Sequence, residues 1–346
     1  MNRYVSWRNR RGTASVLIEK KALKTIGALC ALFLVLFVGS LSVGSTWIPP
    51  HRVLLHLFGA GMESDAYVLG TLRLPRLLLG ALVGAALGIS GLILQGIIRN
   101  PLGSPDMLGI TGGASAAAVS FLTFLAGTVS LKWLPLAAIL GAAVVSLLVY
   151  LLSWNKGVTP IRLVLIGIGF SLAMSSLTTM LMLFGTTYST TEAFLWLTGS
   201  VYGASWSDVR AMLPWLIGFL PLAVLFSKSA SAQELGDSVA TGLGVKVQLH
   251  RFALLGISAA LAGSAVAYAG GISFVGLIAP HMARRLVGRS FGTLIPVTAL
   301  VGAMTVFLAD VAARTLFLPK DLPAGVFVSA IGAPFFIYLL YRNRHQ

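Results

Sequence analysis

Asp321-Leu-Pro-Ala-Gly-Val-Phe-Val-Ser-Ala-Ile-Gly-Ala-Pro-Phe-Phe-Ile-Tyr-Leu-Leu340 is an apolar run long enough to cross a bilayer, yet it holds two prolines and two glycines. A helix that only anchored the protein would be better built from leucine and alanine. Breakers at membrane depth are tolerated where neighbouring helices or a water-lined cavity satisfy the freed backbone. The stretch therefore predicts a packed helical bundle around a path.

The rest of the chain agrees. Its 346 residues are 57% hydrophobic and 10% charged, with mean hydropathy +0.89. Soluble domains carry about 25% charged residues. The length suits about ten spans of about 20 residues with short loops. Apolar segments fall at 26–47, 68–97, 107–127, 133–153, 161–185, 211–227, 252–270, 273–287, 293–317 and 323–341. Residues 1–25 form a basic tail, 26–341 the transmembrane domain, and 342–346 a short second tail. The 26–47 run is longer than the apolar region of a secretory signal and reads as a retained first helix. The single cysteine, Cys30, excludes an internal disulfide and reads as a small buried apolar residue.

Charge sets the orientation. With the N-terminus in the cytoplasm, 18 of the 25 Lys and Arg residues fall in cytoplasmic segments and 7 outside, as the positive-inside rule requires. An even number of spans keeps Arg342 and Arg344 inside. The net charge of +15 is thus a topology signal, and its spread over short loops argues against nucleic acid as a partner.

Several motifs stand out. Gly80, Gly84 and Gly88 repeat every four residues and mark one helix face for close packing. Arg99-Asn-Pro-Leu-Gly-Ser-Pro-Asp106 reads as a rigid, non-helical cytoplasmic connector, with Asp106 near the start of the third span, suited to the helix dipole. The longest cytoplasmic loop, 228–251, contains Glu234, Gly236, Val239, Leu243 and Gly244. Leu235, Val239 and Leu243 recur every four residues, predicting a short amphipathic helix ended by Gly244. Such an element lies on a membrane surface or fits a partner's groove. Gly270-Gly271 opens a glycine-rich stretch that ends in Arg284-Arg285. It is no phosphate loop, and no Walker A sequence occurs in the chain. His281 reads as a hydrogen-bonded structural group, with no second metal ligand at useful spacing. Asp310 is the only acidic residue deep within a span; it is either a functional ionisable group or an ion pair with Arg314 one turn on.

Arg73-Leu-Pro-Arg76, Gly84-Ala-Ala-Leu-Gly88, Gln95, Arg99-Asn-Pro-Leu102 and Leu108-Gly109 occur in order. Together with Gly271–Arg285, Leu322-Pro-Ala-Gly325 and Gly332-Ala-Pro-Phe335 they resemble the FecCD-type permeases, the membrane subunits of ABC importers for iron–siderophore complexes, haem and vitamin B12. The likeness runs from about residue 30 to 341. It implies an all-α polytopic fold of about ten helices, the type II ABC importer permease fold, paired as a homo- or heterodimer around a translocation path. It implies two ATP-binding subunits on the cytoplasmic side, an extracytoplasmic substrate-binding protein, and no cofactor or catalytic residue in this chain. By position, Arg73, Arg76 and Arg314 match arginines that receive acidic knobs of the binding protein, and the charge-based topology places all three outside. Asn100 and Leu102 match the cytoplasmic gate, and the Glu234–Val247 loop the ATPase-coupling element. The long basic N-terminal tail and Ala324 before Gly325 depart from the family pattern.

The expected function is therefore translocation of a ferric siderophore across the cytoplasmic membrane. Haem and cobalamin are the alternative cargoes, since specificity resides mainly in the binding protein. A secondary transporter driven by an ion gradient is the competing class, and it would place ionisable sites at mid-membrane. A membrane-embedded enzyme lacks support: there is no HExxH, no GxSxG and no paired intramembrane carboxylate.

Overall fold

The computed structural model describes residues 4–8, 15–317 and 320–342; Arg3, Arg10, Arg11 and Arg344 of the charge reading lie outside them. A short antiparallel hairpin, β1 (Tyr4–Arg8) and β2 (Ser15–Glu19), precedes the helices. Then come α1 (Lys20–Ser42), α2 (Pro50–Leu57), α3 (Glu63–Tyr67) and α4 (Leu74–Ile98). The middle of the chain forms α5 (Ile110–Phe124), α6 (Leu134–Leu152), α7 (Pro160–Phe184), α8 (Thr187–Thr198) and α9 (Trp206–Leu225). It ends in α10 (Ser227–Glu234), α11 (Asp237–Gly242), α12 (Val247–Ala269), α13 (Val275–Val287), α14 (Phe291–Thr315) and α15 (Ala324–Arg342).

Seven helices, including one continuous rod over Glu63–Ile98, are long and apolar enough to cross a membrane, and Ile110–Phe124 and Ala324–Tyr338 are shorter apolar helices. With α13, a half-length helix of 13 residues, they account for the ten apolar segments. The first helix begins at Lys20, six residues before the expected edge, so the basic tail supplies its opening turn. Its lipid-side face is bare, and Cys30 is exposed there rather than buried. α8 lies outside the ten expected segments. Its Thr-Tyr-Ser-Thr-Thr-Glu opening has weak helix propensity, and packing against α5 and α7 decides the matter.

α4 is the central post, buried along almost its whole length. Its glycine face meets α14. A Cβ on Gly84 would overlap the Gly302 carbonyl, one on Gly88 would lie 3.0 Å from the Thr298 oxygen, and one on Gly80 3.6 Å from the Phe307 Cα. Further along, Gly91 meets Gly276 of α13 equally closely. On the other side, Ser90 and Ser258 clasp α4 to α12: their hydroxyls lie 2.7 Å apart and each also bonds to the other's backbone carbonyl. Both serines are buried, so this reciprocal pairing removes the desolvation cost that either alone would carry.

The breakers in the last span do not unwind it. Pro323 precedes α15 and Pro334 sits inside it. Gly325 lets α15 start against the end of α8, donating its N–H to the Gly199 carbonyl at 2.9 Å, where a Cβ would strike Thr198 O. Gly332 makes room for the Phe274 ring. The glycines of this stretch are contact points between helices, not hinges.

Candidate functional site

The buried charges gather at the two ends of the bundle. At one end, the rod of α3 and α4 passes through a π-helical turn, Val68–Arg73. Pro75 explains it: proline has no N–H to return to the preceding turn and its ring crowds the carbonyl there, so the ladder shifts register. The shift aims Arg73 into the protein, where it is only 5% exposed. Its guanidinium donates to the carbonyls of Leu41 (2.7 Å), Ser42 (3.3 Å) and Thr46 (2.6 Å) and to Thr46 Oγ1 (3.1 Å). Arg73 thus caps the end of α1, whose last carbonyls have no helical partner.

Arg76 lies one turn on and carries the densest pairing. Its Nε reaches both oxygens of Asp310 at 2.9 and 3.0 Å, Nη2 bonds to Asp310 at 2.8 Å, and Nη1 to Asp321 at 2.7 Å. The Tyr202 ring lies 5.4 Å away. Arg314 donates to the Ser40 carbonyl at 2.6 Å and sits 3.9 Å from Asp310. Two of these guanidiniums crowd around Gly44, where a Cβ would lie 2.6 Å from Arg73 Nη2 and 3.1 Å from Arg314 Nη1. All three arginines expected to project outward are instead largely buried and paired within the chain. Sequence spacing suggested Arg314 as the partner of Asp310; the structure makes Arg76, 234 residues away, the closer one.

At the other end, the 228–251 loop is two helices rather than one. α9 bends at Phe226 into α10, and Gly236, at φ +119°, separates α10 from α11. A side chain is strained at that φ, so the predicted single amphipathic helix is interrupted at Leu235-Gly236. Leu235, Val239 and Leu243 are nevertheless all exposed. Gly244, at φ +82°, ends the element.

Asp237, at the start of α11, ties this element to the spans. It pairs with Arg99, the left-handed C-cap of α4 (φ 56°), and with Arg251 of α12 at 2.7 Å. Arg99 also donates to the Gln233 carbonyl at 2.7 Å. Arg251 was counted as a loop cation; it is 0% exposed and also bonds to the Val158 carbonyl between α6 and α7. Glu234 lies 3.9 Å from Arg284 of α13, which bonds to Gln95 of α4, which in turn donates to the Gly276 carbonyl at 3.1 Å. Burial raises the Glu234 carboxyl above its ordinary range, with Arg284 and Arg289 pulling the other way. Charge-assisted bonds thus join α10 and α11 to α4, α12 and α13.

The connector after α4 is held by its own backbone. Asn100 Oδ1 accepts the Leu102 N–H at 2.9 Å, and Gly103 N donates to the Asn100 carbonyl at 3.0 Å. α5 begins at Ile110, later than expected, and Asp106 accepts from the Thr111 hydroxyl at 2.7 Å. Burial raises the Asp106 carboxyl, and the Thr111 bond opposes this. His281 does not have the hydrogen bond expected of it. Among the described residues its Nε2 has no partner, and the ring packs edge-on to Phe335 at 5.7 Å. Asp237 and Asp321 were missed as pairing residues. Asp237 stood in the singled-out loop, one residue after a glycine, but its partners are distant in sequence.

Known proteins resemble this chain in sequence and in overall fold. The FecCD transport family matches residues 32–342. The achromobactin transport system permease protein of Dickeya dadantii is 50% identical over 345 residues, covering 100% of this chain and 98% of that protein. The iron(3+)-hydroxamate import system permease protein of Bacillus subtilis is 42% identical over 93% of this chain and 98% of its own length. A chain from a metal-chelate type ABC transporter, solved in an inward-facing conformation, superposes with a TM-score of 0.81 at 30% identity, covering 92% of this chain and 99% of that one. The buried α4 post, the half-length α13 and the braced α10–α11 element are thus the parts of a transport subunit, and this chain belongs to the FecCD transport family.

Proposed function

We propose that the chain is the membrane permease of an ABC importer that carries a ferric siderophore across the cytoplasmic membrane, with both termini in the cytoplasm. One of two ATP-binding subunits seats on α10 and α11, a second permease subunit completes the path and seats the other, and a substrate-binding protein delivers the cargo from outside. The observation that carries this reading is the α10–α11 element. It presents Leu235, Val239 and Leu243 to solvent while Asp237 fastens it to two spans. Exposed apolar side chains on a rigid base are what a partner's groove requires. Leu243→Asp is expected to abolish copurification of the ATPase while membrane levels stay normal; undiminished copurification would refute the seat.

The cargo reading follows from relatives named for achromobactin and iron(3+)-hydroxamate and favours a siderophore over haem or cobalamin. The orientation rests on the Lys and Arg bias. An ion-driven mechanism is disfavoured because Asp310, its one candidate, is saturated by Arg76 and Arg314. For the binding protein, Arg76 is the docking arginine that fits best. Its Asp321 partner lies on the segment before α15 and is partly exposed, so an incoming carboxylate can replace it. Arg73 and Arg314 serve as braces beneath. Arg76→Glu should weaken binding-protein affinity, and a Glu→Arg change on that protein should partly restore it; unaltered affinity would confine Arg76 to bracing. Asn100 and Leu102, on the turn that Arg99 anchors, are the proposed cytoplasmic gate residues; Leu102→Ala should raise substrate leakage in proteoliposomes, and an unchanged leak would remove them from the gate.

A further inference from the structure

We infer that the cavity between the start of α1, the end of α13 and the start of α14 binds the headgroup of an anionic glycerophospholipid. The cavity measures about 540 Å³ and is lined by Lys21, Arg284, Arg285, Arg289, Ser290 and Thr293, with Glu19 as its one acidic residue. Arg284 is committed to Gln95 and Glu234. Lys21, Arg285 and Arg289 have no ion-pair partner among the described residues. Cations gathered in one hollow repel one another and draw in an anion.

The donors suit a phosphodiester. Two arginine forks can each pair with two phosphate oxygens. Ser290 is the N-cap of α14 and lines the cavity, yet its hydroxyl makes no capping bond, which leaves it open to an anion at the positive end of the helix. Depth selects a lipid over a soluble phosphate. Lys20 and Lys21 open a 23-residue apolar helix, which sets the cavity level with the headgroups. Leu286 lines the cavity and is exposed, and Met282, one turn earlier on the same helix, is exposed too. They offer an apolar wall to the acyl chains. Basic pockets between spans at the cytoplasmic surface are suited to anionic headgroups.

This inference does not depend on the transported cargo. Its test uses the full-length chain in nanodiscs of phosphatidylcholine mixed with phosphatidylglycerol, followed by native mass spectrometry of retained lipid. The wild type should retain phosphatidylglycerol in preference to phosphatidylcholine. Arg285→Gln combined with Arg289→Gln should reduce that retention about tenfold, while Arg285→Lys with Arg289→Lys should keep most of it. Equal retention of the two lipids by the wild type would overturn the proposal, and so would undiminished retention by a folded glutamine variant. If that variant does not fold, the wild-type comparison still decides. In neutral detergent, stabilisation by inorganic phosphate equal to that by phosphatidylglycerol would reassign the site to a soluble anion and overturn the lipid assignment.

Discussion

Asp310→Asn should collapse the end of the bundle where Arg73, Arg76 and Arg314 converge. Asp310 is 1% exposed and faces two guanidiniums that are themselves nearly buried. Asparagine keeps the shape and can still accept hydrogen bonds, but it removes the charge. Asp321 would then be left as the one carboxylate paired with the arginine cluster. Breaking a buried pair from one side typically costs about 3–5 kcal/mol, because the surviving charge stays buried and uncompensated. The expected result is a large drop in detergent-solubilised thermal stability and loss of the protein from the membrane. Asp321→Asn should be much milder, since Asp321 reaches solvent and exposed pairs contribute only about 0–1 kcal/mol. Equal effects of the two changes would contradict the bracing role given to Asp310.

Asp237→Ala should uncouple the chain while leaving most of it folded. The substitution strands Arg251, which is fully buried and among the described residues keeps only the Val158 carbonyl as acceptor, and it releases Arg99. Asp237 is partly exposed, so water can reach the vacated space and the cost should fall near or below the about 3–5 kcal/mol of a sealed pair. The larger consequence is mechanical. α11 would be held by apolar packing around Ala240 and by the chain itself. ATP hydrolysis by the assembled complex should continue while uptake falls to near background. Uptake close to wild type, measured at matched membrane levels, would show that the Asp237 clamp does not transmit the stroke.

Much of this was legible from the chain alone, for physical reasons that also mark the limit. A span declares itself by local composition, so ten segments could be placed. Gly80, Gly84 and Gly88 share a face because the helix period is fixed; that this face meets Gly302 is tertiary information. α8 was not legible because a threonine-rich opening is as compatible with loop as with helix. The amphipathic period of Leu235, Val239 and Leu243 was real as surface pattern, yet a positive φ at Gly236 divides the helix. The arginine cluster was misjudged for exposure. Nothing local shows that Pro75 shifts the helix register, or that Gly44 opens a hollow for the Arg73 and Arg314 guanidiniums. The partners of Arg76 and of Asp237 lie across the bundle, where spacing says nothing.

In the proposed mechanism, movement of α10 and α11 driven by ATP in partner subunits opens a path for a metal chelate. The most direct measurement is uptake of a radiolabelled ferric siderophore into proteoliposomes containing the chain with its ATPase, second permease subunit and binding protein. Uptake should require ATP and the binding protein and should persist when a protonophore and a sodium ionophore abolish all ion gradients. Uptake without ATP, driven by an imposed proton or sodium gradient, would contradict the account.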